Sequence, residues 1–166
     1  IDAIAVSIGP GAFTGLRVGV STALGIAVAR GVPVVCIGSL EARAAMCESS
    51  CVLALLDARK SRVYAQWFDC TQANPQALSE AVDRGLDEVL KSVPAPGGFV
   101  AVGEGCSVDR SAVETAGGQL VAEYDQSPAW AVAQLGAARI EGALDPQEVA
   151  LRYLRGADAK KQVERR

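Results

Sequence analysis

Short apolar runs and longer helical patterns alternate over residues 1–50. Residues 4–8 and 32–37 are apolar runs typical of strands that are covered on both faces, whereas residues 15–29 and 40–47 have helical spacing. Strands that alternate with helices form parallel sheets, because each crossover helix returns the chain to the end of the sheet at which the previous strand began. The pattern therefore predicts a small parallel α/β unit.

Glycine and hydroxyl residues mark the ends of these elements. The run Gly9-Pro10-Gly11 ends the first strand, where the backbone must turn sharply. Thr14 and Ser39 are placed to cap the two helices through their hydroxyls. The first-turn amides of the 15–29 helix then point into the glycine loop. Such a corner can hold an anion, although a plain tight turn is the simpler explanation.

The pattern changes near Ser49-Ser50, where we place a boundary between two lobes. Residues 52–56 and 62–68 are short apolar runs around the polar turn Arg59-Lys60-Ser61. Two strands so close together predict an antiparallel hairpin, which begins a second lobe.

Beyond the hairpin, residues 76–93 have helical spacing and predict a surface helix. Residues 99–102 predict a strand that ends in the glycine turn 103–105. Such ends face the crevice in open α/β sheets, although a plain turn is the simpler explanation here. Residues 128–140 predict an alanine-rich helix with Ser127 as its cap and Trp130 in the core.

Composition and charge narrow the function classes. The chain has 166 residues, is 50% hydrophobic and carries a formal net charge of −3, so its overall field disfavours autonomous nucleic-acid binding. No apolar run reaches the roughly 20 residues of a membrane span, and no secretory signal is visible, so we expect a cytoplasmic location without membrane contact. Residues 156–166 form a basic tail that we expect to be disordered.

The most informative chemical feature of the sequence is that it contains no histidine. Its five cysteines form no C-x-x-C pair, so we predict no metal site and interpret them as reduced, mostly buried thiols. Asp57 is the best-placed acid, but the basic residues Arg59 and Lys60 after it favour a turn. We therefore predict no catalytic residue.

The sequence GPGAFTGLRVG from residue 9 to residue 19 resembles the GPGSFTGLRIG signature of the TsaB (YeaZ) family. Residues 52–59 with Val63-Tyr64 are similar to the next strand pair of the family. Residues 150–155, ALRYLR, resemble its closing P-x-YLR pattern, although Leu151-Arg152 precedes the tyrosine here. The resemblance covers most of the chain up to Arg155.

This resemblance implies an actin-like ATPase fold (ASKHA, RNase H-like) of class α/β with two small lobes. Residues 1–50 correspond to the remainder of the N-terminal lobe, residues 51–155 to the C-terminal lobe, and residues 156–166 to the tail. Family members carry further sequence before the signature, including the first phosphate loop, so we expect the first lobe to be incomplete in this chain.

The resemblance also implies a function. It indicates a non-catalytic scaffold or activating subunit that helps to form N6-threonylcarbamoyladenosine in tRNAs reading ANN codons by dimerising with the catalytic paralogue TsaD. The ATPase TsaE is a further implied partner, tRNA is reached only through the complex, and ATP enters at the level of the complex and not in this chain. The alternatives are an actin-like ATPase, a glycoprotease-type peptidase or a freestanding nucleotide-binding module.

Two sets of site residues follow for the loop and the helix after it. The loop facing a nucleotide would comprise Gly9, Pro10, Gly11, Phe13, Thr14, Gly15 and Arg17. The partner interface, with TsaD or with a second copy, would comprise a stripe of small residues and the apolar ridge beside it, namely Gly15, Leu16, Gly19, Val20, Ala23, Leu24 and Ala27. The alternative is a helix that is buried wholly within one chain.

Overall fold

The computed structural model describes residues 1–94, 97–104, 109–121 and 128–155. Their strands form two sheets, one of two strands and one of six. The polypeptide passes from the first sheet to the second between residues 37 and 52. Among the described residues, no helix combines the length and the apolar character that a membrane crossing needs.

The smaller sheet pairs β1 (Ile4–Ser7) with β2 (Val34–Ile37) in parallel, in a register that sets Ile4 opposite Val34. Helix α1 (Phe13–Arg30) connects the two strands, and α2 (Ser39–Ala44) follows β2. The parallel pairing predicted for this region is confirmed. Side chains alternate along a strand, so the sheet offers one face to α1 and the other to a later helix, α5 (Ala129–Ala138).

The larger sheet is built around a central antiparallel pair, β3 (Val52–Asp57) and β4 (Val63–Asp69), which confirms the predicted hairpin. On one side, β7 (Phe99–Val102) runs parallel to β3, and β8 (Gly118–Leu120) continues the sheet. On the other side, two short strands pair with β4. These are β5 (Gln76–Ala77) and β6 (Val82–Arg84). The helices α3 (Leu86–Leu90) and α4 (Arg110–Thr115) complete this part.

Three apolar clusters of described residues hold the elements together, and the largest of them lies on one face of the six-stranded sheet. There Leu53, Leu55 and Val63 are fully buried, and Trp67 packs edge-on against Phe99 with 4.9 Å between the ring centroids. The second cluster lies on the opposite face of the same sheet, beneath α2. The third joins β2 to α5 and is much smaller.

The predicted caps of α1 and α2 are wrong. Thr14 and Ser39 both lie inside their helices, whose N-caps are Ala12 and Gly38 with no side-chain hydrogen bond. Each helix begins earlier than the hydroxyl pattern suggested, at Phe13 and at Ser39, directly after an N-cap residue in extended conformation. The hydroxyl of Ser39 pairs instead with that of Ser7, at an Oγ–Oγ distance of 2.7 Å.

The helix predicted over residues 76–93 is also wrong, since only α3 is helical there. The preceding residues pair with the free edge of β4. The Leu78 amide donates to the Trp67 carbonyl, and the Trp67 amide donates to the Ser79 hydroxyl. An open strand edge must satisfy its backbone groups, and this requirement outweighed the helical spacing of a few apolar residues.

The helix predicted over residues 128–140 is present as α5, but Trp130 is 66% exposed and not in the core. The buried face of α5 carries smaller residues. A Cβ at Gly136 would lie 2.4 Å from the Cβ of Ala5, so the helix approaches β1 closely on that face. Trp130 is too large for such an approach. The predicted cap Ser127 lies outside the described residues.

Candidate functional site

A cleft of about 760 Å³ opens between the two sheets and is the candidate site. It lies where the carboxyl ends of β1, β2, β3 and β7 converge, which is the usual position of ligands in open α/β sheets. Its size falls within the range typical of small-molecule sites. The described residues that line it are Ser7, Pro10, Gly11, Ala12, Phe13, Gly15, Leu16, Ser39, Arg43, Leu56, Asp57, Ala58, Arg59, Tyr64, Glu104, Pro128, Tyr153 and Arg155.

The glycine loop behind the cleft is fixed on two sides. The Gly9 carbonyl accepts a hydrogen bond of 2.9 Å from the Ser39 amide. On the other side, a Cβ at Gly9 would lie only 2.5 Å from the Arg152 carbonyl oxygen, and the residue has a φ of +114°. Glycine is therefore required at this position both by backbone conformation and by space. The loop in turn sets the position at which α1 begins.

The first turn of α1 borders the cleft without a side-chain cap. Its amides lack intrahelical partners, as in any helix, and the N-cap Ala12 offers no side-chain acceptor. Phe13 and Gly15 line the cavity directly. This end of the helix therefore presents positive partial charge at the edge of the cleft.

An aromatic and cationic cluster closes one side of the cleft. The guanidinium carbon of Arg17 lies 3.8 Å from the centroid of the Phe13 ring, and its Nε donates to the Tyr153 hydroxyl at 3.1 Å. The two rings are 5.3 Å apart. The segment at residues 149–155 is thereby attached to the start of α1.

The same segment is also attached to the larger sheet. Arg155 donates from Nε and Nη2 to the two carboxylate oxygens of Asp83, at 2.6 and 2.8 Å, and from Nη1 to the Ala58 carbonyl at 2.9 Å. Arg62 donates to the same carboxylate. Burial raises the pKa of Asp83, but hydrogen bonds and charge from Arg155 and Arg62 outweigh it and hold that pKa below its usual value. Residues 149–155 therefore bridge both walls of the cleft.

A buried arginine crosses the floor of the cleft between the two sheets. Arg43 on α2 is 6% exposed and donates from Nη2 to Glu104 Oε1 at 2.6 Å, just after β7. Its Nη1 is buried with no hydrogen-bond partner among the described residues. A buried donor left in this way costs about 1–3 kcal/mol, and more when it is charged. The guanidinium is therefore only half satisfied.

Asp57 stabilises a turn, as its neighbours predicted. Its Oδ1 accepts from the Arg59 amide at 2.7 Å, and its other oxygen lies 3.9 Å from Arg59 Nε. Arg59, Lys60 and Ser61 all have φ between +55° and +62°, a left-handed conformation that residues with a Cβ adopt only at a cost. The hairpin tip beside the cleft is thus a strained turn held by a carboxylate.

The residues predicted for a nucleotide-facing loop are brought together only in part. Pro10, Gly11, Phe13 and Gly15 line the cleft, and Arg17 reaches its rim through Phe13 and Tyr153. Gly9 is buried behind the loop, and Thr14 is exposed and not part of the lining.

The residues predicted for the partner interface divide between two faces of α1. Val20, Ala23 and Ala27 are buried, and α1 packs against β1, whereas Gly15 and Gly19 are exposed. Leu16 and Leu24 are half-buried. A spacing of four residues advances by about 400° around a helix, so a stripe of three such steps drifts out of any one face.

Sequence reasoning missed the two side chains that form the floor of the cleft, Arg43 and Glu104. Arg43 stands between two alanines in a short apolar helix, and a lone arginine in that setting was a usable signal of a buried charge. Glu104 lay in a turn recognised only for its glycines. Arg155 was recognised only as the last residue of the ALRYLR pattern, although its side chain is only 21% exposed and pairs with Asp83.

No cysteine is among the described residues that line the cleft. Cys36, Cys47 and Cys70 are free thiols, and Cys106 lies outside the described residues. Burial above all raises the pKa of Cys70 to about 12, which leaves it protonated at neutral pH. Within the described parts of the chain, no three potential ligands among histidine, cysteine, aspartate and glutamate come together.

Comparison with known proteins gives a consistent result. Residues 1–117 match the family model described as TsaD, tRNA N6-adenosine threonylcarbamoyltransferase. An uncharacterised protein of Mycobacterium tuberculosis is 35% identical over 97 residues, which are 58% of this chain and 46% of that protein. The tRNA threonylcarbamoyladenosine biosynthesis protein TsaB of Haemophilus influenzae is 41% identical over 68 residues, 39% of this chain and 29% of that protein. The chain thus spans less than half the length of these relatives.

Solved structures show the same fold. A Pseudomonas aeruginosa protein described as similar to the peptidase YeaZ superposes with a TM-score of 0.76 at 25% identity, covering 93% of this chain and 74% of that one. YeaZ from Pseudomonas aeruginosa gives a TM-score of 0.74 at 24% identity, with the same coverage. The predicted actin-like α/β fold is therefore confirmed.

Proposed function

The chain belongs to the family of TsaD and its paralogue TsaB (YeaZ), and from this we propose that it takes part in forming N6-threonylcarbamoyladenosine in tRNA. We propose further that it does so as a non-catalytic subunit, which dimerises with the catalytic paralogue TsaD through the outer face of α1. The exposed, uncharged surface of that helix is the observation that carries the proposal.

The outer face of α1 has the composition of an interface and not of a solvated surface. Between Arg17 and Arg30 the helix contains no charged residue. Val18, Ile26 and Val28 are 62%, 45% and 67% exposed. A helix facing water normally carries charged residues on its outer face, and contiguous apolar exposure marks contact sites.

Small residues on this face allow a close approach. A Cβ at Gly19 or at Gly25 would meet nothing within 4 Å, so both glycines face open space. Another helix can therefore approach the backbone of α1 there and contact Val18 and Ile26. Gly15, Val18, Gly19 and Ile26 form the proposed interface, and the buried members of the predicted stripe are not part of it.

The chemistry of the cleft supports a non-catalytic role. Asp57 and Glu104, its two acids among the described lining residues, are each hydrogen-bonded or ion-paired. The chain has no histidine, so it lacks the side chain that most often acts as general base at neutral pH. With a net charge of −3, we propose that tRNA is contacted through the complex, with ATP and the ATPase TsaE acting at that level.

Sedimentation velocity of the full chain, alone and mixed with TsaD from the same organism, tests the interface. We expect Val18→Glu and Gly19→Arg to weaken association at least roughly tenfold, because a charge buried against an apolar partner surface loses its hydration. The thermal midpoint of Val18→Glu should match that of the unaltered chain, and that of Gly19→Arg should be no lower, since neither side chain is packed internally and the second change removes a glycine from a helix.

Two matched variants complete the experiment. Gln119→Glu adds the same charge as Val18→Glu on an exposed position of β8 and should leave association unchanged. Ala23→Leu overpacks the buried side of α1 and should lower stability by about 1–3 kcal/mol. The proposed interface is wrong if Val18→Glu and Gly19→Arg each bind TsaD, and each self-associate, as tightly as the unaltered chain.

A further inference from the structure

A second pocket, of about 300 Å³, lies between the glycine loop and β4. Among the described residues only Pro10 lines both this pocket and the cleft, so the two are separate spaces. Cys36 of the smaller sheet and Phe68 of the larger sheet both border it. Its volume is at the lower end of the range for small-molecule sites, so it suits a ligand of few atoms.

The pocket contains a buried amide on an otherwise apolar side of β4. Gln66 lines the pocket, is only 8% exposed, and lies between Tyr64 and Phe68, which belong to the apolar cluster beneath α2. Its Nε2 donates to the Ser79 carbonyl at 2.9 Å. Because a carbonyl can only accept, this bond fixes which end of the amide is the oxygen. No described residue donates to Gln66 Oε1, which retains accessible surface, so this acceptor requires a donor from outside the described chain.

Two side chains of opposite charge also line this pocket. Glu41 accepts from Arg139 Nη2 through Oε1 at 2.6 Å, and no described residue donates to its Oε2. Arg152 is exposed, and its side chain forms no hydrogen bond or ion pair with any described residue. Its backbone is nevertheless fixed, because its amide donates to the Ile8 carbonyl at 2.8 Å. The pocket therefore combines two unused acceptor oxygens with an unpaired guanidinium on a fixed backbone.

We propose that the second pocket binds a free amino acid as its zwitterion. The ammonium group donates to Gln66 Oε1 and to the Glu41 carboxylate, and the carboxylate group accepts from Arg152. An ammonium has three donors and no acceptor, which suits two oxygens, and a carboxylate suits the donor fork of a guanidinium. The local charges favour a zwitterion over a simple cation, because Arg139 and Arg152 together outweigh the one carboxylate. This inference does not depend on the proposed TsaD interface, which lies on the outer face of α1.

Isothermal titration of the full chain with L-alanine, whose side chain is small enough for this volume, tests the proposal at constant pH and ionic strength. We expect saturable binding with a Kd of about 1 mM or below. Two capped ligands complete the set, L-alaninamide without the carboxylate and N-acetyl-L-alanine without the ammonium. Each should bind at least roughly tenfold more weakly than L-alanine, because each leaves one charged partner in the pocket unused.

Two variants locate the binding in this pocket. Arg152→Met keeps an apolar stem and removes the guanidinium, and Gln66→Met removes the amide at similar length. Each should weaken L-alanine binding at least roughly tenfold. The matched changes at exposed positions, Arg30→Met at the end of α1 and Gln119→Met on β8, should have no effect.

Three results would overturn the proposal. The first is the absence of saturable L-alanine binding at concentrations roughly tenfold above 1 mM. The second is binding of either capped ligand as tight as that of L-alanine, which would mean that one charge alone is recognised. The third is unchanged L-alanine affinity in Arg152→Met. This variant decides alone if Gln66→Met melts below the assay temperature, because the Arg152 side chain is exposed and makes no contact that the fold requires.

Discussion

The strands β1 and β3 are both short apolar runs, but the structure surrounds them very differently. All four residues of β1 are only half-buried, whereas five of the six residues of β3 are fully buried. β3 lies between β4 and β7 in the six-stranded sheet, while β1 pairs with β2 alone among the described strands. The larger sheet therefore completes its own core, and the smaller one leaves apolar surface uncovered.

This difference shows what an apolar pattern can establish. An apolar pattern marks a strand whose side chains must be buried. It does not show whether the residues that bury them belong to the same chain or to a partner. Around β3 the cover is internal, with Leu53 and Leu55 inside a large cluster. In the smaller region around β1, Val18 and Val28 on the outer face of α1 are exposed to solvent. We propose that a partner protein covers this outer face. Four predictions test this contrast.

The largest effect is expected where a Cβ would meet the central strand. Gly103→Ala adds a methyl group 2.2 Å from the Leu55 carbonyl at a φ of +103°. Because strain and overpacking each contribute about 1–3 kcal/mol and β3 cannot move, we expect a loss above about 3 kcal/mol. Urea denaturation followed by fluorescence measures it.

Gly9→Ala is the counterpart in the smaller sheet and should lose less. Its clash is with the Arg152 carbonyl, in the segment at residues 149–155, which forms no strand and is held by fewer contacts than the central strand β3. Gly25→Ala on exposed α1 is the control and should gain about 0.5–1 kcal/mol. Equal losses for Gly9→Ala and Gly103→Ala would contradict the difference in rigidity between the two regions.

The second prediction compares the stability effect of removing an apolar side chain from each of the two regions. Leu55→Ala removes a fully buried side chain and should lower the free energy of unfolding by about 2–5 kcal/mol. Ile26→Ala on the outer face of α1 should change it by less than about 0.5 kcal/mol while weakening association with TsaD. A large stability loss for Ile26→Ala would mean that this face is covered within the chain.

The third prediction concerns the ion cluster that joins the two regions. The pKa of Asp83 is lowered in the folded state, so its contribution to stability is complete above the pKa of an unfolded aspartate, about 3.9, and is lost as the pH falls through the folded value. Between pH 5 and pH 2, Asp83→Asn should therefore lose less stability than the unaltered chain. Parallel slopes in acid denaturation would exclude this role.

The smallest effect is expected at the hairpin tip. Lys60 has a φ of +55°, which glycine adopts without a penalty. Lys60→Gly should therefore stabilise the chain by about 1 kcal/mol, the strain of one left-handed residue. Thermal melts measure it, with exposed Lys91→Gly, outside any left-handed turn, as the control that should show no gain.

The elements of the central sheets could be predicted, because the apolar runs of β1, β2, β3, β4 and β7 are bounded by turn residues. The structure of residues 76–93 could not be predicted, because it depends on pairing with the edge of β4. That edge exists only once the chain has folded. In the site, the glycine loop was visible from its sequence. The pairing of Arg43 with Glu104 was not, because 61 positions separate two side chains whose meeting depends on the fold.

The segment at residues 149–155 has a consequence for the order of folding during synthesis. The Arg152 amide donates to the Ile8 carbonyl, and Tyr153 meets Arg17 across a separation of 136 positions. Contacts so distant along the chain close late, since they enclose a long loop, and a ribosome releases these residues after both sheets have been made. The cleft is consequently assembled last, and a nascent chain that has already formed β1 to β8 still presents it open.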